Sequence, residues 1–97
     1  MSEAADRVAR RIFVRGKVQG VYFRAWAVEQ ALDLGLDGWV RNRIDGAVEA
    51  VAAGPAAKVE EFIARCRQGS PASRVDRVTV EDTPGIVADG FTQKPTA

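Results

Sequence analysis

The sequence predicts an α+β fold in which two helices pack on one face of a four-stranded antiparallel sheet, with room for a short fifth strand near the C-terminus. Three observations predict it. Strand-like segments, three of them alternating apolar and polar residues with period two, occupy residues 8–15, 37–43, 47–53 and 75–82. Apolar residues recur at helical spacing over residues 23–34 and 59–66. Glycine-bearing turns separate these segments, so the order along the chain is β-α-β-β-α-β.

The elements follow in turn. Residues 1–6 are polar and are expected to form a loose tail. From Val8 to Arg15, Ile12 and Val14 fall on one side of a strand and Arg11 and Arg15 on the other, while Phe13 breaks the pattern and is expected to cover an exposed sheet surface. Phe23, Ala27, Ala31 and Leu34 form the apolar stripe of a first helix, and Gly35 stands where a helix C-terminus favours glycine. The next two strands are joined by the short Ile44-Asp45-Gly46 turn, a hairpin signal. Gly54-Pro55 ends the hairpin and opens the second helix, with proline near its first position. Val59, Phe62, Ile63 and Cys66 supply that helix's stripe, and Gly69-Ser70-Pro71 stops it. The last full strand is expected to turn Val78 and Val80 inward and Arg77, Thr79 and Glu81 outward. A short strand or extended tail is expected around Phe91–Gln93, shortened or frayed because Pro95 would stop ladder pairing. This order is that of the ferredoxin-like split βαβ arrangement, and it brings the first strand-to-helix loop near the second strand.

Ninety-seven residues form one domain, 1–97, with no room for two cores. With 46% apolar and 28% charged residues, the composition is that of a soluble globular chain. No apolar run approaches the ~20 residues needed to cross a bilayer, and residues 1–11 contain no apolar stretch able to serve as a secretion signal. Together with the single Cys66, which cannot form an internal disulfide, this places the expected location in the cytoplasm, without a membrane partner. Net charge is only +1, yet residues 1–43 carry eight Lys/Arg against five Asp/Glu and residues 44–97 carry six against eight. A local positive field on a nearly neutral chain suits a small anion better than a nucleic acid.

The field has a focus. Residues 16–24 read G-K-V-Q-G-V-Y-F-R, and from Arg7 to Arg24 there are six basic residues and no acid. Gly16 and Gly20 admit backbone conformations that turn successive N–H groups into one concavity, an anion-binding nest. Arg24 opens a helix, where a cation is opposed by the helix dipole unless an anion lies beside it. The loop alone fits a phosphate cradle and an ordinary strand-to-helix turn equally well. A second segment, residues 38–54, reads G-W-V-R-N-R-I-D-G-A-V-E-A-V-A-A-G, with Asn42 near the end of a strand.

Taken together, G-x-V-Q-G-V-x-F-R and G-W-V-x-N-x-x-x-G-x-V-x-x-x-x-x-G resemble the two signature segments of acylphosphatases, in the family's order and at its spacing. Residues Gly69 to Val75 also resemble that family, and the likeness covers roughly residues 8–83. The resemblance implies hydrolysis of acyl phosphates to carboxylate and inorganic phosphate. It assigns 16–24 and 38–54 as the catalytic segments, Arg24 as the phosphate clamp and Asn42 as the group that orients water. The N–H groups near Gln19, Gly20, Val21, Tyr22 and Phe23 would form the phosphate-binding loop. The family's terminal F-x-I-x-Y strand is not matched by Phe91-Thr92-Gln93-Lys94-Pro95-Thr96-Ala97.

The residue inventory limits the chemistry. There is no histidine, so neither a Ser-His nor a Cys-His arrangement is available. Val18 occupies the position, six before the arginine, at which a cysteine-dependent phosphatase would carry its nucleophile. Asp33, Asp37 and Asp45 read as cap, turn and solvent residues rather than a catalytic carboxylate pair. No carboxylate cluster stands at metal-ligand spacing, so no metal and no cofactor is expected. Lys17 fits a steering charge and a solvated lysine equally; Trp39 and Phe23 read as packing, and Tyr22 as an open question. An acyl phosphate suits a site without a base, because its leaving group is a stable carboxylate and its transition state is loose. A monomer is expected. The rival reading is an anion-binding module of the same fold without turnover; an RNA-binding module is disfavoured because residues 46–54 hold no aromatic to stack a base.

Overall fold

The long first strand, β1 (Arg7–Lys17), anchors the sheet by pairing on both sides. In this computed structural model, which describes residues 7–84 and 87–97, β1 is followed by α1 (Phe23–Asp33), β2 (Asp37–Asn42), β3 (Val48–Pro55), α2 (Ala56–Gln68), β4 (Arg74–Asp82) and β5 (Phe91–Gln93). The sheet order is β4-β1-β3-β2-β5; all pairs are antiparallel except β2 with β5, which is parallel, so the sheet is mixed and five-stranded. The expected tail, residues 1–6, lies outside the described residues.

Register sorts the side chains. Ile12 faces Ala50, Val14 faces Val48 and Val40 faces Ala50, which places one apolar row across three strands. That row packs on Phe23, Ala27 and Ala31 of α1 and on Val59, Phe62, Ile63 and Cys66 of α2, the two predicted helix stripes. Each large side chain in this layer contributes roughly 1.5–3 kcal/mol by leaving water. At the C-terminus of α1, Gly35 adopts a left-handed φ of 69° and its N–H donates to the Leu32 carbonyl. Pro55 serves as the N-cap of α2 instead of its first residue. No helix among the described residues is long and apolar enough to cross a membrane.

Three expectations need correction. Val80 pairs with Ile12 and so turns toward the helix side, but it is 37% exposed because β4 is an edge strand, of which Val75 and Val78 pack against the core while Val80 stays at the rim. Gly16 belongs to the strand rather than to the anion loop. It marks a register shift between β1 and β4, and a Cβ there would run into the Arg74 carbonyl oxygen. Pairing also continues past Pro95: Lys94 N–H donates to the Val40 carbonyl, Ala97 N–H donates to the Asn42 carbonyl, and Ile44 N–H donates to the Ala97 carbonyl. The proline sits at a position whose N–H the edge does not use. Phe91 locks the segment down, buried with its ring 5.6 Å from that of Phe62.

The outer face of the sheet is closed by side chains rather than by helices. Glu49 of β3 is only 1% exposed there and accepts hydrogen bonds from Arg41 Nε (2.8 Å), Arg43 Nη1 (2.9 Å) and Arg11 Nη1. The Arg41 guanidinium and the Lys94 ammonium both stack on Trp39, each 4.9 Å from its ring centroid. Phe13 is half-buried beneath Arg43, 6.0 Å away, in the covering role expected of it.

Candidate active site

A cleft of about 380 Å³ opens where the β1–α1 loop meets the ends of β2 and β5, lined by Val18, Gly20, Tyr22, Phe23, Arg24, Ala25, Asn42 and Gln93. Although β3 lies between β1 and β2 in the sheet, the loop reaches across its end, so the two sequence segments converge on one cavity.

The loop is held in a conformation that few sequences adopt. Gly20 has φ 75° in open space, and Tyr22, the N-cap of α1, has φ 61°, the one non-glycine residue with positive φ among those described. A left-handed tyrosine costs on the order of 1 kcal/mol and persists only where its surroundings enforce it. Here Phe23 drops into the core against Trp26 (ring centroids 5.3 Å apart) and Val18 is buried, so the chain between them is stretched over the cleft. Tyr22 is left 86% exposed at the rim.

The consequence is a row of donors. The N–H groups of Gln19 to Ala25 have no acceptor among the hydrogen bonds of the described residues. No side chain caps α1 and no acid stands in its first turn. The positive end of the helix therefore faces the cleft uncompensated.

Arg24 adds a full charge at the same place. Among the described residues, Arg10, Arg11, Arg41, Arg43 and Arg65 are half-buried and each is paired with a carboxylate; Arg24 is half-buried and has none. Partly removing a guanidinium from water without a counter-charge is unfavourable, unless an anion occupies the site in use. Opposite it, Asn42 has an Oδ1 shielded from solvent and without a hydrogen-bond partner among the described residues. Arg41 and Arg43 flank it in the chain and turn outward to Glu49, which leaves Asn42 facing the cleft.

Of the residues assigned from sequence, Gly20, Tyr22, Phe23, Arg24 and Asn42 line the cavity. The Gln19 side chain instead donates to the Arg43 and Ala47 carbonyls, and Val21 packs on the core. Lys17 is exposed at the end of β1. Asp33 pairs with Arg65 at 3.0 Å, and Asp37 accepts from Arg7 and from the Gly90 N–H. Asp45 accepts from the Ala47 N–H, which, with Arg15 beside it, holds its carboxyl below the ordinary value despite a smaller opposing effect of burial. Cys66 is buried in α2, where burial pushes the thiol up to about 12, far from the thiolate a nucleophile needs. Val18, Ala25 and Gln93 line the cavity without having been assigned to the site from sequence; the first two adjoin the assigned loop residues, whereas Gln93 is remote in the chain. The place of Gln93 depends on the parallel β2–β5 pairing, for which a three-residue segment ahead of a proline gives no local signal.

Comparison with known proteins agrees with this geometry. The family model described as acylphosphatase matches residues 10–93. An acylphosphatase of Rhizorhabdus wittichii is 77% identical over 95 residues, which span 98% of this chain and 96% of that protein. The solved acylphosphatase from Coxiella burnetii superposes with a TM-score of 0.89 at 31% identity, covering 94% of this chain and 96% of the other. That from Bacillus subtilis gives 0.84 at 36% identity, over 90% and 98%. With both signature segments meeting in one cleft and relatives matched nearly end to end, the chain belongs to the acylphosphatase family.

Proposed function

We propose that Arg24 and the backbone N–H groups of Gln19, Gly20, Val21, Tyr22 and Phe23 hold the phosphoryl group of an acyl phosphate while Asn42 orients the attacking water. The reaction is that of the family: acyl phosphate and water give carboxylate and inorganic phosphate. The observation that carries the residue assignment is the half-buried Arg24 without a carboxylate partner among the described residues, beside a run of N–H donors equally without acceptors.

Chemically, the water oxygen forms a bond to phosphorus as the bond from phosphorus to the acyl oxygen breaks, and the electron pair leaves on the carboxylate. Asn42 offers a donor and an acceptor and removes no proton; the water's proton passes to a phosphoryl oxygen of the substrate. Charge spread over the equatorial oxygens is met by Arg24 and the N–H row, so positioning and electrostatics carry the rate. A phosphate monoester would have to release a poor alkoxide without an acid to protonate it, and is a poor substrate for the same groups. The lone buried cysteine supports action in a reducing compartment such as the cytoplasm.

The test is phosphate release from benzoyl phosphate, with p-nitrophenyl phosphate as control and EDTA present. Wild type turns over the acyl phosphate alone and ignores the chelator, Arg24→Ala loses about 10³-fold or more in kcat/KM, and Asn42→Ala loses about 10²-fold in kcat. Folded wild type that binds phosphate but releases none from benzoyl phosphate would leave the anion-binding module as the better account.

A further inference from the structure

Gln19 lies in the phosphate loop, yet its side chain serves the opposite wall of the cleft. Its Nε2 donates to the Arg43 carbonyl at 2.8 Å and to the Ala47 carbonyl at 2.9 Å, 24 and 28 residues away. Both partners are acceptors, so only the NH2 end of the amide satisfies them and its orientation is settled by the network. The two carbonyls stand on the two arms of the β2–β3 hairpin. One immediately follows Asn42 and the other immediately precedes Val48, the residue paired with Asn42. Arg43 N–H donates to the same Ala47 carbonyl at 2.8 Å, and Gly46 N–H donates to the same Arg43 carbonyl at 3.1 Å, so the amide completes the closure of the turn. Among the described residues, these are the only side-chain hydrogen bonds made by residues 16–24.

We infer that Gln19 is a positioning residue: its amide is a strut that fixes the separation between the phosphate loop and Asn42, and hence the line along which the oriented water meets phosphorus. The inference rests on the assignment of Arg24 and Asn42 above. In-line displacement makes the rate sensitive to that separation, since a misplacement of about 1 Å costs on the order of 10²-fold. Holding the phosphoryl group needs only the loop's own N–H groups and Arg24, which keep their places when the strut is removed. Loss of the strut therefore lowers kcat and spares affinity for the anion.

Gln19→Met keeps the length and removes both donors, whereas Gln19→Lys restores N–H donors at similar reach. The assay is kcat for benzoyl phosphate with the inhibition constant of inorganic phosphate measured alongside, in wild type, both variants, Asn42→Ala and the double variant Gln19→Met/Asn42→Ala. Expected for Gln19→Met is a 10- to 100-fold lower kcat with the phosphate constant within threefold of wild type, and for Gln19→Lys recovery to at least a third of wild-type kcat. Because Gln19 acts through Asn42, the double variant is no slower than Asn42→Ala alone, a non-additivity that an independent structural role would not produce.

The proposal is overturned by wild-type kcat in Gln19→Met, by a phosphate constant that weakens in step with kcat, or by a further tenfold loss in the double variant. Should Gln19→Met fail to fold, a folded Gln19→Lys variant more than tenfold slow overturns it as well. Asn42→Ala with wild-type kcat would instead remove the assignment of Asn42, and this inference with it.

Discussion

Glu49→Gln is the substitution whose effect follows most directly from the packing. The Glu49 carboxylate is 1% exposed, and Arg41, Arg43 and Arg11 all donate to it. Glutamine fills the same volume, but it removes the charge and turns an NH2 toward guanidinium groups that have nothing to accept. Removing one partner of a buried ion pair costs about 3–5 kcal/mol. The side chains of Arg11, Arg41 and Arg43 are themselves 26–34% exposed and recover part of that by rehydration, so about 2–3 kcal/mol is expected. Against a total stability of roughly 5–15 kcal/mol for a domain of this size, that is a large share, and it lowers Tm by roughly 8–24 °C. The assay is urea unfolding at pH 7, with an unchanged m-value showing that the two proteins unfold from like states.

The pH dependence separates charge from packing. Burial pushes the Glu49 carboxyl up, but the hydrogen bonds from Arg41, Arg43 and Arg11 together outweigh it and leave the group below its ordinary value of 4.5. A carboxyl lowered in the folded state stabilises fully above the unfolded value and loses that contribution as pH falls through the folded one. The stability gap between wild type and Glu49→Gln is therefore complete at pH 7 and narrows as pH falls below about 4.5. A gap under about 1 kcal/mol at pH 7, or one that stays constant into acid, would refute the reasoning.

Three further outcomes are expected. Tyr22→Gly relieves a left-handed backbone while giving up a side chain that is 86% exposed, so urea unfolding finds the variant more stable by up to about 1 kcal/mol; a loss of stability would show that the ring packs in solution. Gly16→Ala forces β1 and β4 apart at the bulge, because its Cβ meets the Arg74 carbonyl. It costs about 3 kcal/mol and accelerates amide exchange along residues 74–82 more than in the β2–β3 hairpin. Cys66, buried with its thiol near 12, stays unreactive toward a disulfide reagent at pH 8 in the folded protein and reacts stoichiometrically in guanidinium chloride, while prompt labelling of folded protein would contradict its burial.

What the sequence made legible, and what it hid, follows from the range of the interactions. The stripe of Val59, Phe62, Ile63 and Cys66 lies within one helix, and the Gly35 terminus and the hairpin turn at residues 44–46 are equally local, so periodicity and turn chemistry suffice to find them. The loop and Asn42 announce themselves through residue types that conformational and chemical demands make unusual. Glu49 does not. In A-V-E-A-V it reads as the polar member of an alternating strand, and alternation cannot distinguish a polar residue facing water from one covered by arginines of β1 and β2. Pro95 misleads for a related reason: it removes a donor, but whether a donor is needed depends on which strand lies alongside, and here Lys94 and Ala97 supply the bonds to β2. Gln19 is the sharpest case, because its place in the loop motif points to the anion while its amide binds carbonyls 24 and 28 residues away. A motif fixes which chemical groups are present, whereas register decides which of them meet. The groups proposed to touch substrate were therefore readable from residue type, while the hydrogen bonds that link the loop to the hairpin had to be found across the sheet.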